Sequence, residues 1–142
     1  MAQGNVNAYE LTKSYVTTQI NDSSTIAMTA GAAIEDVRCR AVKFDANGNV
    51  VLAAAGDKPL GVGIITNVVN IPEGGHVDVQ YKNIGLVYAG GAFAKGTPLS
   101  VDANGCFVAA SDSAVVAVAL EAAGAAGVYT RALLTMGNGY EA

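Results

Sequence analysis

The chain has no tryptophan, three prolines, one histidine and two cysteines among its 142 residues, and only 14% of its residues are charged. Each scarcity removes a class of function. One histidine cannot build a histidine-rich metal site, and His76 with Cys39, Cys106 and the scattered carboxylates lacks the ligand spacing zinc requires. Cys39 and Cys106 lie too far apart in sequence for a CxxC metal or redox motif, so we read them as free thiols in a reducing compartment. A disulfide joining two halves is the alternative, and its geometry is not legible in sequence. Eight Lys and Arg against 12 Asp and Glu give a net charge of −4, which excludes the basic footprint of a nucleic-acid binder and opposes attraction to anionic lipid. No apolar run approaches the roughly 20 residues of a membrane span. The longest, Ala114 to Leu120, stops at Glu121. Residues 1–21 show neither a basic start nor an apolar run, so no secretory signal is read there.

What the chain does have is aliphatic bulk: 51% of its residues are hydrophobic while aromatics make up 6%, so the expected core is small-grained. The length fits one domain or two small lobes sharing a core. The dominant rhythm is period two, the mark of strands half buried in a sheet. Val42 and Phe44 alternate with Lys43 and Asp45, Val77, Val79 and Tyr81 with Asp78 and Gln80, and Val116, Val118 and Leu120 with alanines. The segment from Ala109 to Gly127 is rich enough in alanine for a helix, but its β-branched valines favour a strand over Val115 to Leu120. Asn47-Gly48 and Asn104-Gly105 read as hairpin tips, with a two-residue type I′ turn expected at each.

Those tips belong to a repeat. Phe44-Asp45-Ala46-Asn47-Gly48-Asn49-Val50-Val51 recurs 57 residues later as Val101-Asp102-Ala103-Asn104-Gly105-Cys106-Phe107-Val108, and Gly61-Val62-Gly63-Ile64 aligns with Ala117-Val118-Ala119-Leu120. The expected fold is therefore mainly β: a small β-barrel or sandwich of two similar hairpin-rich halves, spanning about 40–90 and 91–136 within a domain over 31–142. Residues 1–30 differ in composition and read as an extended N-terminal arm, with Tyr9, Leu11, Tyr15, Val16 and Ile20 spread through polar sequence. The arm is either a frayed or edge-pairing terminus or a docking segment in which those five residues contact a partner. Met136 to Ala142 reads as a short tail.

The chemistry-bearing residues do not assemble into a motif. His76 has no G-x-S-x-G nucleophile elbow beside it. Gly61-Val62-Gly63-Ile64-Ile65-Thr66 begins like a dinucleotide fingerprint, but Thr66 stands where a third glycine is required. In Lys95-Gly96-Thr97-Pro98 the lysine precedes the glycine, the wrong order for a phosphate loop, and a turn is the better reading. The two Asp-Ala-Asn-Gly turns lack the further oxygen ligands of a calcium loop. Glu35 and Asp36 are adjacent, hence on opposite faces of a strand. We expect no enzymatic activity and no cofactor. His76, Asp78 and Arg131 are the residues to inspect should a site be shared between subunits.

From Asn83 to Leu99, through the Asp-Ala-Asn-Gly hairpin and on to Val116-Ala117-Val118-Ala119-Leu120-Glu121-Ala122-Ala123-Gly124, the order of glycine steps, hairpin and small-residue strand resembles the capsid cement or head decoration proteins of tailed bacteriophages. The resemblance covers roughly residues 40–136, and Leu60 to Ile64 repeat it more loosely in the first half. Two departures are the long N-terminal stretch and alanine in place of glycine in the "VGVA" strand. The resemblance implies a structural protein that binds the outer surface of an expanded capsid as a homotrimer and strengthens the shell against packaged DNA. Its partner would be the major capsid protein, with no nucleic acid and no membrane, and its location the virion after assembly in the host cytoplasm. The alternative reading is a carbohydrate-binding or adhesion module that uses tyrosines as a stacking platform.

Overall fold

The computed structural model describes residues 23–111 and 114–136, and within them the chain forms strands and turns with no helix. Ten strands follow in order: β1 (Thr25–Thr29), β2 (Ala41–Phe44), β3 (Val50–Leu52), β4 (Gly61–Gly63), β5 (His76–Gln80), β6 (Ile84–Tyr88), β7 (Pro98–Val101), β8 (Phe107–Ala109), β9 (Ala117–Ala119) and β10 (Tyr129–Leu134). They make two five-stranded antiparallel sheets, ordered β1-β5-β4-β2-β3 and β6-β10-β9-β7-β8. Adding five to each strand number of the first order gives the second, so the repeat is a repeat of topology. Register agrees as well: Ile26 faces Val79 in one sheet and Gly85 faces Ala132 in the other.

The architecture is a sandwich and not a barrel. In each sheet the two edges touch at one parallel bridge, Ala30 with Val50 and Ala89 with Phe107, and a single bridge does not make a closed ladder. Strand pairing groups the strands into two sheets, one from residues 25–80 and the other from 84–134, in which β1 and β6 each pair with the last strand of their own sheet. Part of the segment expected as an arm, Thr25–Thr29, is thus a sheet strand; its first 22 residues lie outside the described residues.

Both Asn-Gly sites are hairpin tips, but the type I′ expectation fails. Only Gly48 and Gly105 in these turns have positive φ, +80° and +75°, whereas type I′ needs two such residues. Asp45 N–H bonds Asn49 C=O at 2.7 Å, and Asp102 N–H bonds Cys106 C=O at 2.8 Å, enclosing three-residue loops that end in a left-handed glycine. The reason is the aspartate. Asp45 Oδ1 accepts the N–H groups of Asn47 and Asn49 at 2.8 and 3.0 Å, and Asp102 Oδ1 those of Asn104 and Cys106 at 2.8 and 3.0 Å, which holds the loop right-handed until the glycine. The expected strand over Val115 to Leu120 shortens to Ala117–Ala119, and its alanines, not Val118 and Leu120, are the fully buried residues.

Two hydrophobic clusters follow from the two units. Ile34, Val42, Val50, Ile71 and Val79 pack in the first, and Phe93, Leu99, Phe107, Ala123 and Ala132 stand at the matching positions of the second. The second core is larger at three of these positions and smaller at two, the compensation that keeps a core's volume constant. Cys39, Ala41, Ala53 and Val62 of the first unit join the second unit's cluster. The seam is also tied by backbone: Ala41 N–H donates to Gly105 C=O at 2.8 Å and Tyr88 N–H to Cys39 C=O at 2.7 Å. Cys39 sits at φ +60°, a conformation unusual for a residue with a side chain, and is fixed there because its N–H also reaches Gly63 C=O at 2.7 Å.

Candidate functional site

Equivalent edges of the two sheets carry opposite chemistry. On the outer face of β1 and β5 the cross-strand pairs are Thr25 with Gln80, Ala27 with Asp78 and Thr29 with His76. At the same positions β6 and β10 carry Ile84 with Leu133, Leu86 with Arg131 and Tyr88 with Tyr129. The first of these faces is polar, although Ile26 on the other side of β1 is 46% exposed, while the second leaves Ile84 56% exposed, with Leu86, Leu133 and Tyr129 exposed beside it. A contiguous apolar patch of this kind marks an interaction surface.

The patch extends into the first unit. A groove of about 420 Å³ runs between Val62 to Ile65 on one side and Ile84, Leu86 and Arg131 on the other. The β4–β5 loop beside it displays Ile65, Val68 and Val69, with Val68 66% exposed. Asn67 pins that loop: its Nδ2 donates to Ile64 C=O at 3.0 Å and Asp78 C=O at 2.8 Å, and its Oδ1 accepts Asp78 N–H at 2.9 Å. The valines are therefore held out on a fixed scaffold. At the groove's rim Glu121 accepts Arg131 N–H at 2.9 Å and its Nη2 at 3.2 Å. These two hydrogen bonds hold the Glu121 carboxyl below the ordinary carboxylate range.

The residues singled out from sequence fall elsewhere. Tyr9, Leu11, Tyr15, Val16 and Ile20 lie outside the described residues. His76 and Asp78 pair with each other, Nε2 to Oδ1 at 2.6 Å, while Arg131 pairs with Glu121. Asp78 and Arg131 occupy equivalent positions of two different sheets, so the three do not converge. Among the tyrosines, Tyr88 and Tyr129 meet edge to face, centroids 5.2 Å apart and planes at 77°, with the Arg40 guanidinium 5.0 Å from the Tyr88 centroid. Tyr81 spends its hydroxyl on Ser23 C=O at 2.6 Å. Crossed rings do not form one flat platform. The Asp45 and Asp102 carboxylates serve their own turns, and Cys39 and Cys106 are free and buried. Burial pushes the Cys39 thiol up to about 11 and raises that of Cys106.

The exposed apolar face escaped the sequence reading, although a signal was present. Ile84, Leu86, Val87 and Tyr88 put apolar side chains on both faces of one strand, where Thr25 to Thr29 alternates less greasy residues.

The fold thus defines the protein as a duplicated antiparallel β-sandwich with an exposed apolar face. Among solved structures it is similar to the N base of the head fiber gp8.5 of bacteriophage phi29, with a TM-score of 0.60 and 19% sequence identity over 83% of this chain and 97% of that chain. No family model matches the chain, and no curated protein matches it.

Proposed function

We propose that this protein is a structural component of a bacteriophage head, a cement or decoration protein that binds the outer surface of the capsid through the major capsid protein. The observation that carries the reading is the shared fold with a phage head fiber base, found independently of the decoration-protein order of motifs in the sequence. The outer apolar face supports it, because docking on a lattice of identical sites lets many modest contacts add up. In this reading the protein is not an enzyme, takes no cofactor, contacts neither nucleic acid nor membrane, and self-associates as a homotrimer. It assembles in the host cytoplasm and resides on the virion, where it stabilises the shell against internal DNA pressure.

The test is a mass measurement by light scattering, followed by co-sedimentation with expanded, undecorated phage capsids and a heat challenge of the decorated shells. A trimer that saturates the shell and raises its resistance to heat is the expected result. A monomer that stays in the supernatant overturns the reading and favours the glycan-binding alternative.

A further inference from the structure

The two Asp-Ala-Asn-Gly tips carry the same reactive pair. An asparagine followed by glycine is prone to close on itself, because a residue without a side chain lets its nitrogen approach the asparagine side-chain carbonyl. Asn47 and Asn104 are both exposed. In each loop the glycine N–H is held at the long end of hydrogen-bond distance, Gly48 to Asp45 C=O at 3.2 Å and Gly105 to Asp102 C=O at 3.3 Å. The aspartate Oδ1 bonds and the glycine φ values match as well. Local geometry therefore gives the two asparagines equal chemistry.

Their surroundings are unequal. Gly48 is exposed, and a Cβ built on it would meet nothing within 4 Å, so no neighbouring strand opposes its turning toward the Asn47 side chain. Gly105 is buried at the seam between the units. Its C=O accepts Ala41 N–H at 2.8 Å, and Ala41 C=O would stand 3.0 Å from a Cβ placed there. Closing a ring at Asn104 means turning Gly105 out of that seat and breaking the bond to Ala41, whereas closing one at Asn47 disturbs the turn alone.

We propose that Asn47, ahead of Asn104, is a site of spontaneous covalent modification, deamidating to aspartate and isoaspartate in the folded protein. The Gly48 nitrogen gives up its proton to solvent and bonds to Asn47 Cγ. The Cγ–Nδ2 bond then breaks, and the nitrogen leaves with the electron pair, taking up a proton from water to become ammonia. Water opens the resulting cyclic imide at either of its carbonyls. The sum is asparagine plus water giving aspartate or isoaspartate plus ammonia, with no oxidant, reductant or enzyme. Either product makes the exposed tip acidic and the chain one charge more negative than −4, and isoaspartate also adds a methylene to the main chain of the turn. A third Asn-Gly pair, Asn138-Gly139, lies outside the described residues. The assignment stands independently of the phage-head reading, since it concerns the isolated chain.

The full chain is incubated in warm, mildly alkaline buffer, and peptide mass mapping follows at each asparagine the gain of about 1 Da that turning an amide into an acid brings. The Asn47 peptide is expected to convert about fivefold faster than the Asn104 peptide, the factor that one backbone hydrogen bond of about 1 kcal/mol represents. In guanidinium chloride, where the seam is gone, the two rates are expected to come together. Equal rates in the native chain, or faster conversion at Asn104, overturn the proposal. A difference that persists in denaturant overturns it too, since it then belongs to the flanking sequence and not to the fold. So does a native Asn47 that stays intact over the time in which the denatured chain converts.

Discussion

The duplicated turns allow one perturbation to be made twice in the same molecule. Gly48 and Gly105 have nearly the same backbone, φ +80° and +75°, and end the same Asp-Ala-Asn-Gly loop. An L residue in this region costs about 1–2 kcal/mol through contact of its Cβ with the backbone, so Gly48→Ala and Gly105→Ala share that loss. Their surroundings differ. A Cβ at Gly48 meets nothing within 4 Å, whereas one at Gly105 would lie 3.0 Å from Ala41 C=O and 3.5 Å from Ala53 C=O, both across the seam. Relieving that crowding weakens the Ala41 N–H to Gly105 C=O bond, worth about 1 kcal/mol. Gly105→Ala is therefore expected to be the less stable variant by about 1 kcal/mol, which is about 2–4 °C in Tm for a chain of this length. Thermal unfolding of the two variants beside the parent measures the difference. Equal losses would refute the reasoning that the second hairpin is a seam element, and so would a larger loss at Gly48.

Three further outcomes follow from named contacts. Lys43 Nζ and Asp57 Oδ2 form a largely buried ion pair at 2.8 Å, and Asp57 also accepts Ala54 N–H at 2.7 Å; Lys43→Met leaves that carboxylate without its cation and is expected to cost about 2–4 kcal/mol in urea unfolding, a result under 0.5 kcal/mol counting against it. The Arg38 guanidinium, bonded to both Asp36 oxygens at 2.9 and 3.0 Å, lowers the Asp36 pKa below its ordinary value, so its contribution to stability is present above the unfolded pKa and disappears as pH falls through the folded one. The stability gap between the parent and Asp36→Asn is thus expected to hold from pH 7 to about pH 5 and to close below about pH 4, and a gap that persists at the lowest pH sinks the assignment. With its pKa raised to about 11, Cys39 is almost wholly a protonated thiol near neutral pH, and burial shields both cysteines. A disulfide reagent at pH 8 is expected to find no reactive thiol in the native protein and two after denaturation.

The fold was legible where side chains report on the backbone directly. Alternation located β2 and β5, and the Asp-Ala-Asn-Gly copies located both hairpins and the duplication. The pairing of β1 with β5 and of β6 with β10 was not legible, because the partners lie about 50 residues apart in sequence and that pairing leaves no local mark. The turn type was missed because a side-chain carboxylate, not the Asn-Gly pair, sets the loop geometry. At 117–119 the side of the strand that faces the core carries Ala117 and Ala119, while Val118 is half-buried on the other side, and composition alone does not show which side faces inward. The candidate surface was hidden for a related reason: sequence shows that Ile84 and Leu86 are apolar, and only the structure shows that their side of the strand is left exposed while Gly85 and Val87 are buried.

The joint between the two units is tied in part by main-chain atoms, Gly105 C=O, Ala41 N–H, Cys39 C=O and Tyr88 N–H. Substitution elsewhere cannot remove a carbonyl or an amide, so the relative placement of the units is insulated from drift in the residues displayed on them. One scaffold can then carry two unlike surfaces, Thr25, Asp78 and His76 on one unit and Ile84, Leu133 and Tyr129 on the other, and each can be remodelled for a new contact without re-solving how the halves fit together.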